Sequence, residues 1–210
     1  MATAPRTISE LVFPQPQTRA QALGRDAALI LLGAALVAGF AQITIHLPFV
    51  PLTGQTLAVL LVGASLGWRR GALALLTYVA GGAAGLPIYA EHKAGLVVLA
   101  GPTGGYLIGF IVAAAIVGFL AERGWDRTPM LTTMAMIIGN VVIYAFGAGW
   151  LAYYFATHLA KLFPTVSAAL QGAYTIGVQP FLLGDAIKIA IAVVALPIAH
   201  QLLSRRTPTA

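Results

Sequence analysis

The chain alternates between long apolar runs and short connections rich in polar residues, glycine and proline. A helix needs roughly 20 apolar residues to cross the hydrocarbon core of a bilayer. Six runs approach that length, at residues 27–47, 55–68, 72–89, 106–121, 130–153 and 180–203. The pattern predicts an all-α polytopic membrane protein with six transmembrane helices. Its six-helix membrane domain covers 25–204, with a cytoplasmic lead-in at 1–24 and a cytoplasmic tail at 205–210.

The composition agrees with a membrane protein. Hydrophobic residues make up 59% of the sequence and charged residues only 9%. Soluble domains carry about 25% charged residues, and so few charges cannot cover a surface that faces water. The sequence contains no cysteine. Disulfide bonds and thiolate catalysis are therefore excluded within these 210 residues.

The positions of the basic residues predict the orientation in the membrane. Two of them, Lys93 and Lys161, fall in connections on one side of the six-span pattern. The opposite side receives nine arginines: Arg6, Arg19, Arg25, Arg69, Arg70, Arg123, Arg127, Arg205 and Arg206. The positive-inside rule places this arginine-rich side, and with it both termini, in the cytoplasm. The net charge of +6 is thus a topology signal, and we expect no nucleic-acid partner.

Two charges stand inside the sixth predicted span, "PFLLGDAIKIAIAVVAL" at 180–196. Asp185 and Lys188 each cost about 2.5–3.5 kcal/mol at the centre of a bilayer on insertion scales. Three positions apart on one helix face, they can pair. One interpretation is a salt bridge that only satisfies both groups inside the bundle. The other, which we favour, is a site for a small polar ligand with N–H groups and a carbonyl or carboxylate, because intramembrane charges usually mark a substrate path.

Two connections on the predicted external side supply candidate walls for such a site. The segment "AQITIHLPFVPLTGQT" at 41–56 is expected to be a stiff, non-helical loop, and the glycine-rich segment 84–110 lets backbone approach a ligand. Tyr89 and Tyr106 add rings with a hydroxyl tip, although an aromatic residue at such a position, taken alone, is more typical of an interfacial belt than of a ligand contact. A short amphipathic helix is expected around 166–175. Pro180 suits a helix start, and Pro197 should kink the last helix.

Motifs of enzymes and metal sites are weak in this chain. "GASLG" at 63–67 matches the nucleophile elbow of hydrolases, with His200 as a conceivable base for Ser65, but it lies in an apolar helical run. No Walker motif is present, so an ATP-driven process would need another chain to bind ATP. The four histidines show no metal-ligand spacing. We expect no enzyme activity, no cofactor and no metal.

Small residues on the first span leave two interpretations open. Ala34 and Ala38 form a small-xxx-small pair, which lets helices approach closely in lipid. The pair could pack inside this bundle or dock on another membrane subunit.

Three blocks of sequence together carry a family resemblance. In order they are "LPFVPLTGQTLAVLLVGASLGWRRGALALLTYVAGGAAGLPIYA", "GLVVLAGPTGGYLIGF" and "PFLLGDAIKIAIA". Over about residues 25–200 the chain resembles the BioY family, the biotin-specific substrate-binding (S) components of energy-coupling factor (ECF) transporters. The resemblance implies a six-helix protein of the bacterial inner membrane that binds biotin from outside with high affinity. It also implies a transmembrane coupling subunit and two ATP-binding-cassette ATPases as partners.

The resemblance gives the candidate residues their roles. The acid and base of the family's sixth helix fall on Asp185 and Lys188, and the docking residues of its first helix fall on Ala34 and Ala38. A carboxylate can accept from the ureido N–H groups of biotin, while Lys188 could meet either the ureido carbonyl or the carboxylate. Gln55, Asn140 and the two tyrosines are further candidates. A stand-alone biotin transporter or channel, and an S component for another vitamin, remain alternatives.

Overall fold

The computed structural model describes residues 7–13 and 16–204 of the chain. Their elements, in chain order, are α1 (Ile8–Val12), α2 (Arg19–Ala41), β1 (Thr44–Ile45), β2 (Leu52–Thr53), α3 (Gln55–Leu66), α4 (Trp68–Ala83), α5 (Leu96–Ala100), α6 (Gly104–Ala121), α7 (Pro129–His158), α8 (Val166–Gly177) and α9 (Leu182–Ser204). Short 3₁₀ turns lie at Ala90–His92 and Gln179–Phe181. Arg6, Arg205, Arg206 and the predicted tail lie outside the described residues.

Four helical stretches of the described residues are long and apolar enough to cross a membrane. They are Arg19–Ala41, Gly104–Ala121, Pro129–His158 and the joined stretch Val166–Ser204. The protein is therefore a helical membrane protein. Helices α3 and α4, with 12 and 16 residues, are shorter than a typical span. The count of six transmembrane helices stays a prediction.

Capping and turn residues determine two helix boundaries that differ from those predicted by the hydropathy pattern. Helix α2 begins at Arg19, eight residues before the predicted span, because Thr18 and Gln21 form a reciprocal capping box. Helix α4 ends at Ala83, six residues before the predicted end, and Gly85 follows with φ of 106°. A positive φ of this kind favours glycine and stops the helix. Tyr89 consequently lies in a loop.

The connection between α2 and α3 is not a plain loop. Strands β1 and β2 pair antiparallel, with Thr44 opposite Thr53 and Ile45 opposite Leu52. The all-α prediction is thus corrected by one small hairpin. The hydrogen bonds between its two strands satisfy backbone N–H and C=O groups in a segment that is not helical. The amphipathic helix expected around 166–175 is confirmed as α8, Val166–Gly177.

Helix α6 lies at the centre of the bundle and packs against α3, α4 and α7. Glycines allow the closest approaches. A Cβ placed on Gly118 of α6 would lie 2.5 Å from the backbone carbon of Gly67 and 2.5 Å from the nitrogen of Trp68. Gly67 itself has φ of 82° and joins α3 to α4. This contact draws the α3–α4 corner against α6.

Polar contacts gather the arginine-bearing connections at one end of the bundle, which we call the arginine end. Arg70 at the start of α4 bridges to Asp26 on α2 at 2.9 Å. His200 near the end of α9 contacts the buried Asp126 of the α6–α7 connection at 2.5 Å. The side chain of Glu122 accepts from the backbone N–H of Trp68 at 3.0 Å. The hairpin, the α4–α6 connection and the start of α9 lie at the opposite end.

Candidate functional site

A cavity lies among the elements of that opposite end. Its walls come from the hairpin and the start of α3, the α4–α5 connection, the first turns of α6, the middle of α7 and the start of α9. Its volume is about 70 Å³. Small-molecule sites commonly measure roughly 300–1,000 Å³, so a vitamin-sized ligand requires these walls to move apart. Much of the lining is apolar, including Val50, Pro51, Leu107, Phe110, Ile143 and Phe181.

Asp185 and Lys188 line this cavity and form a direct ion pair. Lys188 Nζ lies 2.8 Å from Asp185 Oδ1, and their side chains are 15% and 5% exposed. The pair therefore faces the interior of the bundle, as a ligand site requires. A void beside the pair distinguishes this arrangement from a salt bridge packed only against protein.

Asp185 is held by three donors from three different elements. Its Oδ1 accepts from Lys188 and, at 2.8 Å, from the hydroxyl of Thr56 on α3. Its Oδ2 accepts a short hydrogen bond from the hydroxyl of Tyr144 on α7. An ionised carboxylate offers about four acceptor positions, so three donors leave room for one further N–H group.

Lys188 uses its full donor capacity inside the protein. An ammonium has three N–H donors. Their acceptors are the backbone oxygen of Thr53 at 2.7 Å, the hydroxyl of Thr56 at 2.8 Å and Oδ1 of Asp185 at 2.8 Å. Lys188 thus ties α9 to the end of the hairpin and the start of α3.

Gln55 and the two candidate tyrosines also line the cavity. Gln55 is 5% exposed, and its amide donates to the hydroxyl of Tyr78 at 2.8 Å. The hydroxyl of Tyr89 donates to the backbone oxygen of Val79 at 2.6 Å, and that of Tyr106 donates to Gly177 at 2.7 Å. Because both hydroxyls are used within the fold, the tyrosines offer ring surface to the cavity.

Asn140 requires a correction, since it does not line the cavity. It lies on α7 one helical turn from Tyr144, toward the arginine end. Its amide nitrogen donates to the backbone oxygen of Met136 at 3.3 Å, and its Oδ1 is buried without a partner among the described residues. The sequence indicated Asn140 only as a further polar candidate, with no helix face or depth along α7.

The sequence matches a known protein family over most of its length. The family model described as "BioY family" matches residues 15–205. The chain belongs to the BioY family. A biotin transporter BioY of Rhizobium etli is 35% identical over 195 residues, covering 87% of this chain and 98% of the relative. A biotin transporter BioY of Thermotoga maritima is 39% identical over 158 residues, covering 75% of this chain and 85% of the relative.

The fold agrees with a solved structure. A crystal structure at 2.1 Å of the S-component for biotin from an ECF-type ABC transporter superposes with a TM-score of 0.68. The match covers 89% of this chain and 95% of that one, at 20% sequence identity. Membership of the BioY family makes this chain a transporter component and not an enzyme. In agreement, Ser65 lies within the continuous helix α3, whereas a nucleophile elbow requires a strand–turn–helix corner.

Three side chains that line the cavity of this BioY-family chain were not predicted from the sequence. Thr56 and Tyr144 both donate to Asp185, and Lys93 lines the cavity from the α4–α5 connection. In a sequence, a tyrosine inside an apolar run is typical of a residue that packs in the core. A lysine in a loop is typical of a solvated surface residue. Thr56 had the clearest signal, since it directly follows Gln55 in the quoted segment that ends at the start of α3.

Two loops beside the cavity are joined through the side chain of Glu91. His46 of the hairpin contacts the carboxylate of Glu91, whose other oxygen lies 2.6 Å from Lys93 Nζ. Glu91 has φ of 61° and Phe49 in the hairpin has φ of 66°, conformations that are strained for residues other than glycine. The hydrogen bond from Lys93 lowers the pKa of Glu91 below its ordinary value, so the carboxylate is charged at neutral pH.

The small residues of α2 face two directions. Ala34 is buried in the core of the BioY-family bundle, and Ala38 is half-buried against it. The side of α2 away from the core exposes Leu31, Leu32, Ala35, Leu36 and Gly39. Intramolecular packing therefore accounts for much of the Ala34–Ala38 surface, and docking through this pair stays a prediction.

Proposed function

We propose that this chain is the biotin-binding S component of an ECF-type vitamin transporter, and that biotin binds in the cavity beside Asp185 and Lys188. The observation that carries the proposal is the buried carboxylate in the wall of this cavity, with an acceptor position still open. Membership of the BioY family, and its relatives that are named biotin transporters, support the same ligand.

The chemistry of the cavity matches the two ends of the biotin ring system. The ureido group carries N–H donors, and Asp185 is an acceptor whose charge is balanced by Lys188. A charge-assisted hydrogen bond of this kind is worth about 1.5–3 kcal/mol. The thiophane ring needs apolar surroundings, which Tyr89, Tyr106 and the Val50–Pro51 segment of the hairpin can supply. Gln55 completes the polar side of the proposed site.

The proposed orientation places the cavity outside the cell and the arginine end in the cytoplasm, with six transmembrane helices and both termini cytoplasmic. The positive-inside rule supports it, because Arg70 and the other described arginines of the predicted cytoplasmic side gather away from the cavity. The membrane would be the bacterial inner membrane. In this arrangement the domain limits remain 1–24, 25–204 and 205–210.

Release of biotin inside the cell would require partners. We propose an ECF transmembrane coupling subunit and two ATP-binding-cassette ATPases, since the sequence itself has no Walker motif. Docking would involve α2, where Ala34 and Ala38 are the proposed contacts. Their burial favours a docking surface that also includes the exposed neighbours Ala35 and Gly39.

Binding of radiolabelled biotin to the purified full chain tests the ligand. We expect displacement by unlabelled biotin and none by thiamine or riboflavin at equal concentration. Displacement by thiamine or riboflavin as effective as by biotin would instead indicate an S component for another vitamin. Absence of biotin binding would reject the proposal.

Uptake into vesicles tests the need for partners. Vesicles that contain the chain alone should bind biotin without accumulating it, and accumulation should require the coupling subunit, the ATPases and ATP. Accumulation by the chain alone would favour the stand-alone transporter.

A further inference from the structure

We infer that a second cavity, at the arginine end of the bundle, binds the headgroup of a phospholipid that carries a phosphate and a primary ammonium, as in phosphatidylethanolamine. Arg69 binds the phosphate and Glu122 binds the ammonium. This site lies at the opposite end of the bundle from Asp185 and Lys188, and it does not depend on the ligand proposed for them.

The second cavity, which we call the α2–α4 groove, lies between the first half of α2 and the first turns of α4. Its volume is about 650 Å³. The two helices touch on one side of the groove, since a Cβ added to Gly33 of α2 would lie 3.0 Å from the Cβ of Ala74 of α4. The residues of α2 and α4 that line the groove all precede this contact in sequence. The two helices therefore separate toward the arginine end and leave the groove between them.

The groove lies at the depth of lipid headgroups. Helix α2 is long and apolar enough to cross a membrane, and the groove is lined by residues near its beginning. Three large apolar side chains of the lining are exposed, namely Leu23, Trp68 and Leu73. A tryptophan near a helix end is typical of the membrane–water interface. The two leucines offer a surface for acyl chains beside the charged side chains of the groove, and a bound phospholipid requires both.

Five charged side chains of the described residues line the groove: Arg69, Arg70, Glu10, Asp26 and Glu122. Arg70 is used by the fold, since its Nε lies 2.9 Å from Asp26 and its Nη1 lies 3.8 Å from Glu10. Within the part of the chain that the structure describes, no ion pair includes Arg69 or Glu122. The groove thus presents one cation and one anion that a ligand can pair with.

These two charges lie on either side of Trp68. The guanidinium carbon of Arg69 lies 5.0 Å from the centre of the Trp68 ring, and Oε1 of Glu122 accepts from the backbone N–H of Trp68 at 3.0 Å. The guanidinium presents a fork of N–H donors that matches a phosphate, and the second oxygen of Glu122 can accept from an ammonium. A headgroup with both groups therefore pairs with both charges.

Other common headgroups satisfy the groove less well. An anionic headgroup without an ammonium would pair with Arg69 but bring a negative charge beside Glu122, and like charges repel. The quaternary ammonium of a choline headgroup has no N–H group that could donate to the carboxylate. The charge pattern therefore favours a primary ammonium next to the phosphate.

Native mass spectrometry of the purified full chain in detergent can measure this binding. The probes are the dioleoyl forms of phosphatidylethanolamine, phosphatidylglycerol and phosphatidylcholine, which differ only in the headgroup. The variants are Arg69→Gln, Glu122→Gln and, as the matched control, Arg127→Gln. Arg127 is an exposed arginine of the α6–α7 connection that does not line the groove. Glutamine at 122 keeps an oxygen that can accept from Trp68, and the melting temperature in detergent checks that each variant folds.

We expect the unaltered chain to bind phosphatidylethanolamine about tenfold more tightly than the other two lipids. Arg69→Gln should weaken this binding about tenfold, because it removes the partner of the phosphate. Glu122→Gln should reduce the preference for phosphatidylethanolamine over phosphatidylcholine to less than about twofold. Arg127→Gln should change none of these values, and all three variants should bind biotin as the unaltered chain does.

Equal binding of the three lipids to the unaltered chain would overturn the inference and leave the groove to a protein partner. Tighter binding of phosphatidylglycerol would also overturn it, in favour of an anionic lipid. Glycerophosphoethanolamine, which has the headgroup but no acyl chains, should not compete at equal concentration. If it competed as well as the lipid, the ligand would be a soluble phosphate ester and the assignment to a lipid would be wrong.

Discussion

Tyr144 on α7 donates its hydroxyl hydrogen bond to Asp185 on α9, across the inner end of the cavity. The two residues are 41 positions apart in sequence, and along the chain α8 with its flanking turns separates α7 from α9. The contact joins α7 to α9 at the point where the ion pair of Asp185 and Lys188 forms part of the cavity wall. Asp185 is therefore positioned by a neighbouring helix as well as by its own lysine.

Tyr144→Phe should weaken biotin binding about tenfold while the protein still folds. The substitution removes one donor to a charged acceptor, worth about 1.5–3 kcal/mol, and keeps the ring that packs against the core. Calorimetric titration measures the affinity, and the melting temperature in detergent reports folding. Phe146→Leu, on the exposed side of α7, is the matched control. Wild-type affinity in Tyr144→Phe would show that the hydroxyl does not position the carboxylate for the ligand.

Asp185→Asn and Lys188→Ala should each weaken biotin binding at least about tenfold, or roughly 1.4 kcal/mol. Lys188→Ala should also destabilise the fold by about 3–5 kcal/mol, because it leaves a buried carboxylate without its counter-charge. The double variant Asp185→Asn with Lys188→Met separates the two effects. Melting should recover toward wild type while binding stays lost, and recovery of binding would contradict a ligand role for the pair.

The membrane class and most of the helices could be predicted from the sequence because long apolar runs dominate their signal. The boundaries could not be predicted from hydropathy alone. Thr18 and Gln21 extend α2 by capping, and Gly85 ends α4 early by its backbone conformation. Both are local signals present in the sequence. They place Tyr89 in a loop over the cavity rather than at the end of a span.

A residue of the candidate site could be predicted from the sequence where its polarity differs from that of its neighbours in the chain. Asp185 and Lys188 stand out because charges are rare inside apolar helices. Tyr144 does not stand out, since its role depends on how closely α7 and α9 approach each other. Asn140 is polar and on a helix that lines the cavity, yet its depth along α7 decides its contacts. The distances between residues on different helices depend on how the helices pack, and a single sequence does not determine this packing.

Asn140→Leu should change biotin affinity less than twofold. Its Oδ1 is buried without a partner among the described residues, and its amide donates within its own helix. Replacing a poorly satisfied polar group by an apolar one of similar shape is nearly neutral or stabilising. The melting temperature should therefore stay level or rise. A tenfold loss of affinity, measured beside Tyr144→Phe, would mean that the site extends one turn deeper than the cavity.

Gly118→Ala should destabilise the protein by at least about 2 kcal/mol, since forced overpacking typically costs about 1–3 kcal/mol and here the obstacle is backbone. The added Cβ would lie 2.5 Å from the nitrogen of Trp68, at the corner that joins α3 to α4. The three atoms nearest to this Cβ all belong to the backbone, so a side-chain rotation does not relieve the clash. Gly149→Ala in α7 is the matched control, because its Cβ would meet no atom within 4 Å.

In that open helical position alanine should be neutral or stabilise by up to about 1 kcal/mol through helix propensity. Melting in detergent measures both variants. The cavity lies at the other end of the bundle, so any Gly118→Ala protein that folds should still bind biotin. Equal melting temperatures for Gly118→Ala and Gly149→Ala would contradict the close approach of α6 to the α3–α4 corner.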